Sequence, residues 1–161
     1  MTTLTDMNRN RMRLELVRRL QEIDYAFAIT LGANHQDLST RAMRNLLKSW
    51  DAQENRFLNG GSWVKRPDER IMWIAFPEKL EVNPHWHLMA SPDPAGFHDH
   101  RALRYKTFEK SVERTWLRLL PMGTVHCVPL RGSNWEYYAT KELAKGDRME
   151  HYVLSREFQS I

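Results

Sequence analysis

Apolar residues recur along this chain first at helical and then at alternating spacing. Met12, Leu16, Leu20 and Ile23 fall three or four positions apart, which predicts an opening helix ending near Asp24. Alternation then takes over. Tyr25, Phe27, Ile29 and Leu31 share one face of a strand and Ala26, Ala28 and Thr30 the other, until Gly32 ends it. The small residues on that second face leave room for something to lie against it. Ser39 or Thr40 can cap a second helix whose Met43, Leu46, Leu47, Trp50, Phe57 and Leu58 form an apolar stripe, closed by Asn59-Gly60-Gly61.

After a polar connector, RIMWIAF (70–76) and VNPHWHLMA (82–90) read as two strands of a hairpin, joined by a short turn containing Pro77 and Lys79. SPDPAGFHDH (91–100) is a loop, and the next helix buries Phe108, Val112, Trp116 and Leu119. GTVHCVPLRG (123–132) is a strand. NWEYYATKELAKG (134–146) then reads as a helix capped by Asn134 and stopped by Gly146, and HYVLSREF (151–158) holds a last strand. This order predicts an α+β fold: a central antiparallel sheet of four to five strands with packed helices, the split βαβ layout of ferredoxin- and RRM-like proteins. With no internal repeat and no linker, residues 1–161 form a single domain, in which 1–23 is an N-terminal basic helix.

Composition narrows the class. The 161 residues are 42% hydrophobic and 27% charged, an ordinary globular balance for a chain long enough to bury a core without staples. A lone cysteine, Cys127, excludes an internal disulfide framework and every cysteine-rich zinc motif. No apolar run approaches the roughly 20 residues of a membrane span, and Met1–Gln21 is arginine-rich without the apolar centre of a signal peptide. A cytoplasmic protein without a membrane partner is expected. The net charge of +4 is weak support for a polyanionic partner. Its distribution says more: Arg9, Arg11, Arg13, Arg18 and Arg19 crowd the first helix, and Lys106, Lys110, Lys141, Lys145 and Arg148 recur later. That first helix either grips duplex DNA or dresses the back of the sheet.

The candidate chemistry begins at NPHWHLM. Side chains alternate across a strand, so His85 and His87 project from one face and Trp86 from the other. The two imidazoles are then about 7 Å apart at Cα level and able to converge on one cation. Glu78 shares the parity of Met72, Ile74 and Phe76, and the turn folds it back toward His85; Glu81 is the competing third ligand. Two imidazoles and one carboxylate, with positions left open, suit Mn²⁺ or Mg²⁺ better than a structural zinc site. Downstream, a helix over 135–145 would carry Tyr138, Lys141 and Lys145 on one face.

Together these stretches resemble the replication initiators of the HUH endonuclease superfamily, the enzymes that start rolling-circle replication. The motifs match in order: a strand ending in FAITL, then PHWHLM, then the nucleophile motif YATK. LRLLPMGTVHCVPLRG also resembles the strand before the tyrosine helix in bacterial members, so the resemblance covers roughly residues 24–146. It implies an HUH nuclease fold acting on single-stranded or hairpin origin DNA of a plasmid or phage, with a host helicase and polymerase as further partners. It implies a divalent cation held by His85, His87 and a third side chain, Glu78, with Tyr138 as nucleophile and Lys141 beside it.

The implied reaction is a site-specific nick that leaves a 5′-phosphotyrosine link and a free 3′-OH, reversible because one phosphodiester replaces another. A phenol of pKa about 10 needs help to attack, and Lys141 can stabilise the developing charge. Some relatives carry a second tyrosine directly after the lysine. Glu142 stands there in this chain, which implies the single-tyrosine type, with termination left to a second subunit, a water or another residue. Tyr137 points about 100° away from Tyr138 on a helix and is expected to pack in the core. A single-domain tyrosine transposase of the same superfamily, and a non-catalytic nucleic-acid-binding module, are the alternatives.

Other features carry less. His98-Asp99-His100 repeats the histidine pattern, but in a loop with no strand to fix parity. His126 is expected to be a satisfied sheet histidine. Among the six tryptophans, Trp63 and Trp135 are the candidates for base stacking. No phosphate loop occurs, so no helicase is built in.

Overall fold

The structure, a computed structural model, describes residues 4–96, 99–131, 134–143, 145 and 151–158. Its elements are α1 (Leu4–Gln21), β1 (Phe27–Gly32), α2 (Thr40–Asn59), β2 (Met72–Glu78), β3 (His85–Ser91), α3 (Arg101–Leu119), β4 (Thr124–Pro129), α4 (Trp135–Ala139) and β5 (Val153–Leu154). The five strands form one antiparallel sheet in the order β4-β1-β3-β2-β5, so the expected α+β architecture is the observed one.

Strand alternation sends the two sets of side chains into two cores. On one face Phe27, Ile29, Leu31, Trp73, Ala75, Trp86 and Leu88 pack under α2 and α3, against Met43, Leu47, Trp50, Phe108, Val112 and Trp116. On the other face Ile74, Phe76 and Met89 meet Leu20 of α1 and Ala139 and Leu143 of the α4 segment. The first core is large and aromatic. The second is small, and it is the one beside the histidines.

Helix α2 matches its sequence signals. Ser39 accepts the Ala42 N–H at 3.1 Å, and Gly60 closes the C-terminus at φ 80°, a left-handed position where a side chain is unfavourable. Its one departure is Phe57, which is exposed and lies beneath the Arg114 guanidinium rather than in the stripe.

Several elements differ from expectation. Helix α1 ends at Gln21 and is rotated: Val17 and Leu20 are buried, whereas Met12 and Ile23 are exposed. It lies on the histidine face through Leu16 and Leu20, which excludes the back of the sheet as its seat. Tyr25 precedes the first strand and packs into this same small core instead of sharing a face with Phe27. The hairpin strand β2 runs on through Pro77, which pairs with Trp86, so the turn begins only at Lys79. A proline is tolerated there because β5 pairs only with Ile74 and Ala75, leaving no ladder partner for the missing N–H.

A further departure is the expected helix over 134–146. It lasts five residues, and Asn134 makes no side-chain cap. The Thr140 hydroxyl donates to the Glu136 carbonyl at 2.7 Å, and the following bonds, Lys141 N–H to Tyr138 O and Leu143 N–H to Thr140 O, are of the tighter three-residue kind. Aromatic residues and threonine are mediocre helix formers, so little resists this change. Gly146, the expected stop, and Arg148 lie outside the described residues. Finally, the last strand is two residues long and gives way to a 3₁₀ turn over Ser155–Phe158.

Candidate active site

The β2–β3 hairpin builds the ligand set. Glu78 pairs directly with His85 and Phe76 with His87, so strand parity places all three polar side chains on the small-core face. Trp86 goes the other way and donates its indole N–H to the Met43 carbonyl at 3.1 Å, which fixes the register from behind. Ligand atoms of Glu78, His85 and His87 lie within 4.8 Å of one another, and this is the group among the described residues able to hold a metal ion. Glu81, the competing candidate, is exposed in the turn and lies outside the group.

The imidazoles are oriented from their far sides. His85 Nδ1–H donates to the Asn83 carbonyl at 2.8 Å, and His87 Nδ1 meets the Thr30 hydroxyl at 3.1 Å. Asn83 is itself fixed, because its side-chain oxygen accepts the His35 N–H at 2.9 Å. Thr30 stands opposite His87 across the β1–β3 pair, on the small-residue face of β1. Both Nε2 atoms therefore converge on a single oxygen, Glu78 Oε2, that of His85 at 2.8 Å and that of His87 in close contact.

This donor set fits a divalent cation. Two imidazole nitrogens and a carboxylate oxygen gathered this closely are donor types that a divalent cation takes. Burial pushes His87 down to about 4, further than its bond to Glu78 can restore, so the ring is neutral at pH 7. Burial alone would raise Glu78, but hydrogen bonds from Lys141, His87 and His85 outweigh it and hold the carboxyl at about 2. A neutral imidazole and an ionised carboxylate are the forms that ligate.

The other oxygen of Glu78 serves a different partner. Lys141 Nζ donates to Oε1 at 2.6 Å, and the same ammonium stands 4.0 Å from the centre of the Tyr138 ring. Burial would lower the Lys141 pKa, but the bond and attraction to Glu78, with a smaller share from Tyr138, raise it, so the lysine stays charged. The Tyr138 ring lies edge-on to His87 at 5.0 Å between centroids and tilts against Trp135 at 5.1 Å. The phenol is thus on the same side of the sheet as the histidines. Tyr138 is 46% exposed, open to a large substrate.

The remaining expectations divide. Trp135 borders both His87 and Tyr138, whereas Trp63 opens a 3₁₀ turn and stacks beneath the Arg70 guanidinium. Lys145 does not share a helical face with Tyr138; it turns to Glu142 at 2.8 Å. Tyr137 is exposed, as Tyr138 is, rather than packed in the core. His126 is also exposed, on the histidine face and paired with Thr30, rather than satisfied within the sheet. His98 lies outside the described residues, and His100 precedes α3 beside a separate cavity with Leu103 and Phe57.

Sequence reasoning missed Thr30, Asn83 and the role of Arg13 as functional neighbours. Thr30 was visible only as the polar member of a face of small residues. A cavity of about 890 Å³ between α1, β5 and the start of α2 is lined by neither Glu78, His85 and His87 nor Tyr138. Within the site Glu78 and His87 are buried and Tyr138 is exposed. No family model, curated protein or solved structure compared with this chain matches it.

Proposed function

We propose that this chain is a single-tyrosine DNA nicking and rejoining enzyme of the HUH type, acting on single-stranded or hairpin origin DNA to start rolling-circle replication. One juxtaposition supports the reading: the Tyr138 phenol, the Lys141 ammonium and the Glu78–His85–His87 group share one face of the sheet, with Glu78 and His87 buried and Tyr138 half-exposed beside them. A structural histidine pair has no need of a lysine and a half-exposed tyrosine beside it.

In this reading His85, His87 and Glu78 hold Mn²⁺ or Mg²⁺. When bound, such an ion supplies charge neutralisation at a non-bridging phosphate oxygen. Tyr138 Oη attacks phosphorus, a Tyr–O–P bond forms, and the P–O3′ bond breaks. The phenolic proton passes to solvent, which reaches this half-exposed side chain, and the departing O3′ takes up a proton to become the 3′-OH. Lys141 stays protonated and balances charge on the phenolate and on the pentavalent phosphorus. Reversal of the same steps rejoins the strand, with no nucleotide cofactor required.

The test incubates the protein with labelled single-stranded DNA pools and Mn²⁺ and looks for a covalent adduct on a denaturing gel. Wild-type protein and Tyr137→Phe are expected to form it, and Tyr138→Phe to lose it entirely. DNA binding without adduct under any condition would replace the nickase with a binding module, and strand transfer between two element ends would make it a transposase.

A further inference from the structure

The small core poses a question of mechanics. A five-residue helix has too few internal hydrogen bonds to hold its own shape, yet an attacking group must be placed to within a fraction of an ångström. Something outside α4 must fix it. Ala139 and Leu143 anchor its inner side, but they lie beyond Tyr138 and point into the core.

Lys141 ties the segment to Glu78 on one side of Tyr138, and a further attachment comes from α1, far away in sequence. Arg13 of α1 donates from one terminal nitrogen to the Tyr137 carbonyl at 2.5 Å and from Nε to the Thr140 hydroxyl at 3.1 Å. These two acceptors bracket Tyr138 in sequence. The Tyr137 carbonyl belongs to the last turn of α4, where carbonyls have no partner within the helix, and a guanidinium is well suited to it in charge and shape. Thr140 passes the link on, since its own proton goes to the Glu136 carbonyl. The fork thus holds residues on both sides of the phenol against α1. Meanwhile Arg9, Arg18 and Arg19 pair with Asp6 and Glu15 on their own helix and with Glu22 just after it.

We propose that Arg13 is a positioning residue for Tyr138: α1 serves as a brace whose arginine fork holds the tyrosine segment over the metal-ligand group. The inference rests on the nicking reading above for its consequence in rate, but the brace itself can be measured without it. It assigns the N-terminal helix a mechanical task in place of gripping duplex DNA.

Full-length Arg13→Ala, Arg13→Lys and Thr140→Val proteins test it. Arg13→Ala should slow single-turnover adduct formation about 10- to 100-fold at saturating DNA, with the KM for DNA and the affinity for Mn²⁺ unchanged. Arg13→Lys keeps the charge but loses the fork, and should recover less than half of the lost rate. The Arg13→Ala/Thr140→Val double variant should be no slower than Arg13→Ala alone, because both remove one link. Hydrogen exchange gives an activity-independent reading: amides of 135–143 should exchange faster in Arg13→Ala while those of 85–91 do not. Unchanged exchange over 135–143, or a wild-type adduct rate in Arg13→Ala, overturns the brace and leaves the nickase standing. A wild-type protein that makes no adduct, yet shows the exchange difference, sinks the nickase and keeps the brace.

Discussion

Glu78 divides its two oxygens between two jobs, and the residues around it explain how. Oε2 faces both imidazoles and Oε1 faces Lys141, so one carboxylate joins the ligand set to the tyrosine side. The groups behind the histidines matter as much as those in front. Replacing Thr30 with valine keeps the volume but puts a methyl group against His87 Nδ1, freeing the ring to rotate. Losing such an outer partner usually weakens metal binding by about 10- to 100-fold, and Thr30→Val should do the same when Mn²⁺ uptake is followed by electron paramagnetic resonance. Wild-type affinity in that variant would mean that packing against Trp135 and Tyr138 alone orients the ring. His85 has a firmer anchor, since the Asn83 carbonyl that holds it belongs to the backbone.

Among the elements, those with strong local signals formed where the sequence placed them, and the failures came where tertiary contacts overrode a weak preference. Helix α2 shows the first case: its capping serine and closing glycine are both used. Gly60→Ala would force a side chain into a left-handed position, and should cost about 1 kcal/mol in urea denaturation with Mn²⁺ affinity unchanged. Strand parity was equally legible, and it singled out Glu78 over Glu81 before any coordinates. The tyrosine segment shows the second case, because its periodicity fits a long helix while Thr140 and Lys141 find better partners in Arg13 and Glu78. The orientation of α1 was not legible either, since its apolar residues admit more than one stripe and the choice depends on Arg13 turning inward. Thr30 and Asn83 required knowing which strands are neighbours, and spacing within one strand does not carry that.

At the scale of the whole molecule, the large core holds ionisable groups of its own. Asp51 lies between α2 and β2, where it accepts the Trp73 indole N–H at 2.6 Å and an Asn55 amide at 3.1 Å. Burial lifts its carboxyl from 3.8 to about 6, against the pull of those bonds and of Arg70. The folded protein therefore holds this proton more tightly than the unfolded chain, so the group's contribution to stability is greatest below about pH 4 and is lost as pH rises through about 6. The change is about 3 kcal/mol, and Glu54, also raised by burial, acts with the same sign. Asp51→Asn keeps an acceptor for Trp73 and should flatten that part of the profile in urea titrations at pH 4, 5 and 7; an unaltered slope would assign it to Glu54. No helix among the described residues is long and apolar enough to cross a membrane. The brace between α1 and α4 also bears on how the protein is made. Arg13 must wait for acceptors more than a hundred residues downstream, so a ribosome that has delivered β3 has produced a chain with His85 and His87 but neither Tyr138 nor Lys141. The proposed site is therefore complete only late in synthesis, when α1 and the tyrosine segment meet over the sheet.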